Sequence, residues 1–351
     1  MLNFPIPCSV ALHNVHQAGD DIKKAGGTLN LDTLNLDAFH SMSSFQDARL
    51  GIRERFVALN AGGASTLGVL SEPLGEVRSP AWVLCHSFGL EQIYLQSIEV
   101  PIARKLSAAG FPVLRFHAQG YGDSELPVDQ VSLTSHVRDS LDAVGAVRDA
   151  TGSSQIGLMG ARFGGAVAAL VADRIEATAM ALWDPVVTGK TYLSSLIRQS
   201  VMSDLAAEHA GRSLETKEQR ERDLTRTGMV DLQGFPVTRD TYDELRALDL
   251  VADLQAFKGE SLIVQISRSR EIKATTSRIV DRLGELGGNS TLETVVNQRA
   301  QGFGGPRFRA SSDKTIKIDT QIDILKELAD LTVSWAQRLS GLSPTTTGED
   351  P

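Results

Sequence analysis

Between residues 155 and 174 an apolar strand runs into a glycine-rich turn and straight out into an apolar helix, and few folds accommodate that. Gln155–Met159 reads as a buried strand, Gly160-Ala161-Arg162-Phe163-Gly164-Gly165 as the turn and Ala166–Arg174 as the helix. A reversal this abrupt pushes its central residue out over the C-terminal edge of a sheet, where open α/β sheets place their sites. The surrounding sequence repeats the alternation. Ala81–Cys85, Phe111–Phe116, Ala177–Trp183, Ser261–Ser267 and Leu292–Val296 read as further buried strands. Pro101–Ala109, stopped by Gly110, and Thr134–Ala150, with Val137, Leu141, Val144 and Val147 on one side, read as helices. Continuous apolar strands alternating with helices predict an α/β architecture, a mostly parallel sheet covered on both faces. Upstream, Glu54–Leu59 and Thr66–Ser71 flank Gly62-Gly63 and predict a hairpin.

Residues 187–255 break the rhythm. About 70 residues with helical, charged character are too many for a simple crossover, so they are read as an inserted α-helical cap. Thr320–Leu339 is expected to be a closing helix. The organisation expected is a poorly ordered N-terminal extension over 1–50, a main domain over 51–342 and a disordered tail over 343–351. Met42, shortly before the first clear strand, leaves open whether residues 1–41 belong to the protein.

Composition narrows the function classes. The chain carries 35 Lys and Arg against 43 Asp and Glu, a net charge of −8, with no basic cluster, which argues against nucleic acid as a partner. Two cysteines, Cys8 and Cys85, exclude a disulfide framework and a cysteine zinc site. No apolar run is long enough for a membrane span. No basic residue precedes Lys23, as a secretory signal would require, so a cytoplasmic location is expected. No pair of histidines stands at helical i, i+4 spacing and no carboxylate–histidine cluster is visible, so neither a metal nor a cofactor is expected. Gly62-Gly63 and Gly304-Gly305 are turns rather than phosphate loops, since neither opens a helix with Lys-Ser/Thr.

Three loops fall at the ends of neighbouring strands. They are His86-Ser87-Phe88-Gly89, then His117-Ala118-Gln119-Gly120-Tyr121-Gly122-Asp123-Ser124, then the turn around Arg162. In that order they resemble the α/β-hydrolase fold over residues 54–340: an oxyanion loop, a Gly-x-Gly-x-Ser turn and a Gly-x-Ser-x-Gly elbow. Within the fold the chain looks closest to the serine-aminopeptidase-like group and resembles the exosortase-associated hydrolases, through Trp183-Asp184-Pro185-Val186-Val187-Thr188-Gly189 with Tyr192-Leu193, and through Gly234-Phe235-Pro236 leading to Leu248-Asp249-Leu250. The resemblance implies an ester or peptide hydrolase with a nucleophile, an acid and a late histidine.

This sequence departs from that pattern twice. The elbow centre is Arg162, whose guanidinium stays protonated and cannot attack a carbonyl. After the strand Leu292–Val296, where the resemblance implies a histidine, stands Asn297-Gln298-Arg299-Ala300-Gln301-Gly302, and no histidine follows His209. Gln301 or a neighbour takes the place, and glutamine does not titrate. The acid position falls to Glu271, after Ser261–Ser267, or to Asp184. Arg162 is then either an internal salt-bridge partner of one of these carboxylates or a bidentate clamp on a ligand anion. His86 is expected to brace the oxyanion loop, and Ser87 to narrow its mouth. Phe88 and Phe163 would offer backbone N–H groups, and His117 and Asp123 would stabilise their turn. His136 is expected on the exposed side of its helix, and Cys85 as a small buried hydrophobe. Two function classes follow. One is a non-catalytic protein binding a small anionic or acyl ligand, or a protein partner. The other is an active hydrolase or acyltransferase with a rearranged site.

Overall fold

The computed structural model describes residues 44–207, 216–297, 307–310, 316–319 and 322–342. The chain divides into two compact units, Met1–Ser44 and Phe45–Pro351. The sheet and its helices belong to the second, the first strand starting one residue before it. The strands are β1 (Ser44–Asp47), β2 (Ile52–Ala61), β3 (Ala64–Pro73), β4 (Ala81–Leu84), β5 (Val113–Phe116), β6 (Ile156–Ala161), β7 (Ala179–Trp183), β8 (Met229–Leu232), β9 (Phe235–Thr238), β10 (Glu260–Ser267), β11 (Asn289–Val296), β12 (Arg307–Ala310) and β13 (Ile316–Asp319). The helices are α1 (Leu90–Ala108), α2 (Leu133–Thr151), α3 (Arg162–Arg174), α4 (Gly189–Ala207), α5 (Lys217–Thr227), α6 (Arg239–Ala247), α7 (Leu250–Asp253), α8 (Ala274–Glu285) and α9 (Ile322–Leu342).

Nine strands form one sheet in the order β1-β2-β3-β5-β4-β6-β7-β10-β11. The hairpin β2–β3 and the pair β3–β5 are antiparallel, and every pairing from β5 through β4, β6, β7 and β10 to β11 is parallel. Successive side chains of a strand point to opposite faces, and β4 shows the result. Ala81 and Val83 enter a core shared with α2, α3 and α8, whereas Trp82 and Leu84 enter a second core with Leu95, Ile98 and Ile102 of α1 and Leu328 and Trp335 of α9. Both faces are therefore covered. No helix among the described residues is long and apolar enough to cross a membrane.

Between β7 and β10 the cap carries α4 to α7, together with an antiparallel hairpin, β8–β9, that the helical reading of this segment did not contain. Gln233 and Gly234 turn that hairpin at φ 61° and 88°, left-handed values suited to a two-residue connection. The cap leaves and rejoins the sheet at one neck. Gly189 donates to the Leu248 carbonyl (2.8 Å) and Leu250 to the Val187 carbonyl (2.9 Å).

Two expectations are corrected. Helix α1 begins at Leu90, not at Pro101, which lies inside it. Its buried face mixes Gln92 and Glu99 with Leu95 and Ile98, so a reading that follows apolar residues finds only the second half. His136 is buried, not exposed. Beyond the valine stripe, α2 also buries Ser135, His136, Asp139 and Ser140, because its first turns lie beneath the loop after β4. The pair β12–β13, between β11 and α9, was not anticipated.

Candidate functional site: a salt-bridged elbow beneath a cap

The turn between β6 and α3 is as abrupt as the sequence requires. Ala161 is extended and Arg162 takes φ 52°, the left-handed conformation that non-glycine residues rarely adopt. Close packing leaves the turn no other course. A Cβ on Gly164 would lie 2.5 Å from the Cys85 carbonyl oxygen, and one on Gly160 would collide with the Gly164 carbonyl. The elbow geometry is thus present with arginine at its centre.

The guanidinium is held between two carboxylates. Nε donates to Glu91 Oε1 (3.2 Å), and Nη1 to Asp184 Oδ2 (3.0 Å) and to the Asp184 carbonyl (3.3 Å). Asp184, itself at φ 43° after β7, also accepts from Lys273 Nζ (2.9 Å). The second oxygen of Glu91 accepts from Tyr192 Oη (2.9 Å) and Ser87 Oγ (2.7 Å). Glu91, Arg162, Asp184 and Lys273 therefore form a row of alternating charge. Burial alone would lower the pKa of Arg162, but the fields of Glu91 and Asp184 outweigh it and hold the pKa above the ordinary arginine value. Burial and then the Glu91 carboxylate push the Tyr192 phenol well up. Of the two acids considered, Asp184 meets Arg162. Glu271 is exposed, and only its backbone carbonyl is used, by Gln265 Nε2 (2.7 Å). Gln301 lies outside the described residues.

The loop after β4 is tied down by side chains of the protein itself. Gly164 N–H points at Ser87 Oγ (3.4 Å), Ser87 N–H donates to Gln92 Oε1 (2.6 Å) and Gly89 N–H to Tyr121 Oη (2.7 Å). Gln92 in turn donates to Glu99 Oε2 (2.8 Å), a fully buried carboxyl that desolvation pushes up to about 8, against the Gln92 hydrogen bond. Ser87 is 0% exposed. Phe163 is buried at the first turn of α3, where N–H groups lack intrahelical acceptors. Its ring packs against Phe88, His136 and Tyr192.

Beside this network lies a cavity of about 630 Å³, lined from the cap by Leu196, Arg198, Leu232 and Phe235, and from the sheet side by Phe88, Ile266 and the four charged residues of the row, among others. Of the residues expected to shape the pocket, Phe88 and Arg162 line it. His86, Ser87, Phe163 and His117 do not. The first three are buried behind the lining, and His117 is occupied by its own turn, where its Nδ1 meets Asp123 N–H (3.2 Å) and Asp123 Oδ2 (3.2 Å). His86 Nδ1 contacts the Ser87 carbonyl (2.9 Å), and burial followed by the neighbouring His136 drives its pKa well below the usual imidazole range. Burial likewise lowers that of His136, whose Nδ1 meets the Ser132 carbonyl (2.7 Å). The Nε2 of His136 meets the Ser87 carbonyl (3.3 Å). Among the described residues no cluster of three or more metal-ligating side chains occurs.

Sequence reading missed Glu91, Tyr192 as a partner of Glu91, and Lys273. Glu91 stands four residues after Ser87 and in the first turn of α1, a signal hidden by the late start assigned to that helix. Cys85 sits fully buried at the end of β4, and burial raises its thiol to about 12. A thiol this far from its thiolate should resist modification. In a C8S background, 5,5′-dithiobis(2-nitrobenzoate) should release no thionitrobenzoate from the native protein and one equivalent after denaturation.

Residues 78–227 match the family model for serine aminopeptidase, S33. No curated protein sequence matches the chain. Among solved structures it is similar to Est1E from Butyrivibrio proteoclasticus with ferulic acid bound (14% identity, TM-score 0.52, covering 81% of this chain and 98% of that one). It is also similar to the esterase Pf2001 from Pyrococcus furiosus (12% identity, TM-score 0.53, covering 85% and 95%).

Proposed function

We propose that the chain is a member of the α/β-hydrolase superfamily and, from the arginine locked at the centre of its elbow, a non-hydrolytic one that binds a small ligand under the cap. The observation that carries the reading is the double ion pair of Arg162 to Glu91 and Asp184. The side chain at the attacking position is a permanent cation, held by the carboxylates next to it. Acyl transfer needs a nucleophile with a base within hydrogen-bond reach, and among the described residues no histidine lines the cavity. Ser87 Oγ, which meets the first turn of α3, donates to a carboxylate and is closed to solvent. Ser87 Oγ also takes the Gly164 N–H, so this hydroxyl is held between a carboxylate and the first turn of α3.

The reading is tested with a fluorophosphonate probe and a panel of p-nitrophenyl esters. The native protein should show no adduct by intact mass and no turnover above an R162A control. An adduct mapped to Ser87, or ester turnover that the S87A variant abolishes, would instead establish an active hydrolase with a displaced serine.

A further inference from the structure

Charge in the cavity is unevenly satisfied. Its acidic lining residues are Glu91 and Asp184, and both are engaged by Arg162, Lys273, Tyr192 and Ser87. Arg162 and Lys273 are thereby neutralised in place. Two more cations line the same cavity, Arg198 from cap helix α4 and Arg268 from the loop after β10. Both are exposed, and neither makes an ion pair or hydrogen bond among the described residues. One arginine thus comes from the cap and one from the sheet domain, each with its donors open. The rest of the lining includes the apolar side chains of Phe88, Leu196, Leu232 and Phe235.

We propose that the cavity takes an amphipathic anion, a carboxylate or phosphate monoester on an apolar body, whose head group is held by Arg198 and Arg268 rather than by the elbow arginine. This rests on the non-hydrolytic binding role argued above and deepens it. The row Glu91–Arg162–Asp184–Lys273 is complete without a ligand, because each carboxylate oxygen already has a donor. An anion placed against Arg162 or Lys273 would meet a charge that Glu91 and Asp184 already neutralise and would be repelled by those carboxylates, whereas Arg198 and Arg268 lose only water. A guanidinium pairs bidentately with carboxylate or phosphate, and two guanidiniums reject a cationic or neutral head. The apolar body then removes the Phe88, Leu232 and Phe235 surface from water.

Four ligands of equal chain length test the proposal by calorimetric titration of the full chain: octanoate, octyl phosphate, octanol and octylammonium. Octanoate or octyl phosphate should bind at least tenfold more tightly than octanol, with octylammonium weaker still, and the tighter anion identifies the head group. The R198A/R268A variant should bind both anions no better than octanol, and R198E/R268E should lose them entirely. Both arginines are exposed and make no ion pair among the described residues, so each variant should melt at the wild-type temperature, which separates loss of binding from loss of fold. Octanol binding as tightly as the anions, or unchanged anion affinity in R198A/R268A, overturns the proposal. The two readings fail separately. Ester turnover would end the non-hydrolytic role whatever the head-group preference, and absent anion preference without any probe adduct would end only the ligand assignment.

Discussion

Replacing Arg162 by alanine should lower the unfolding free energy by about 3 kcal/mol, the scale on which removing one partner of a buried ion pair destabilises a protein. The loss arises from the charges left behind. Glu91 and Asp184, one from the first turn of α1 and one from the end of β7, would keep their charges in a largely buried site with only Lys273 as counterion. The Arg162 side chain is 23% exposed, so water relieves part of this and the figure sits at the low end of the range. Two companion variants assign the cause. R162G should recover about 1 kcal/mol relative to R162A, because glycine adopts φ 52° without the cost paid by a residue bearing a Cβ. E91Q/R162M/D184N removes these three charges together and should recover most of the loss, since the one charge left, on Lys273, is 42% exposed and reaches water. Urea denaturation at pH 7 measures all three. A stable R162A with an unchanged midpoint would mean that the row of charges is solvated rather than buried.

The second large effect should appear as a pH dependence centred on Glu99. Its carboxyl is fully buried on α1, and desolvation raises its pKa to about 8, from 4.5 for a solvated glutamate. Between those values the folded protein keeps a proton that the unfolded chain has released. Stability therefore falls as pH rises through that window, by up to about 1.4 kcal/mol per pH unit. It is fully present below pH 4.5. The E99Q variant carries no such proton. It should match the wild type near pH 4.5 and exceed it by about 5 kcal/mol at pH 9, as read from paired urea titrations. The wild type and E99Q falling in parallel would assign the pH dependence to other groups. Because Gln92 links Glu99 to the Ser87 N–H, ionisation of Glu99 would also pull on the loop that lines the elbow.

How much of the fold and site could be read from the chain alone depended on whether a residue's partner was fixed by local sequence. The parallel sheet was legible because β4, β6, β7 and β10 are nearly continuous apolar runs, a pattern that burial on both faces demands. The elbow was legible because Gly160, Gly164 and Gly165 sit between strand and helix at fixed offsets. The start of α1 was not, since Gln92 and Glu99 occupy its buried face and their burial depends on each other and on Ser87, not on any period. His136 was misplaced for the same reason: its buried neighbours come from the loop after β4. Asp184 was named as one of two candidates for Arg162, and distance chose between them. Glu91 and Lys273 are brought to the site by different elements, 71 residues before Arg162 and 89 residues after Asp184 respectively, and no local pattern announces such pairings. The hairpin β8–β9 was obscured by the charged helix that precedes it.

At the neck of the cap, Val187 and Gly189 on the way out bond to Leu250 and Leu248 on the way back, so the insertion is a ring whose ends already meet. Just beyond the neck, Asp173 at the far end of α3 accepts the N–H groups of Gln255, Ala256 and Phe257 and anchors the returning chain. The register of β7 against β10 is then specified by residues outside the ring. A short turn joining Thr188 to Asp249 would therefore keep the neck closed, but Tyr192, Leu193, Val237 and Leu245 share one core with β4, β6 and α3, so the shortened chain should melt at a lower temperature.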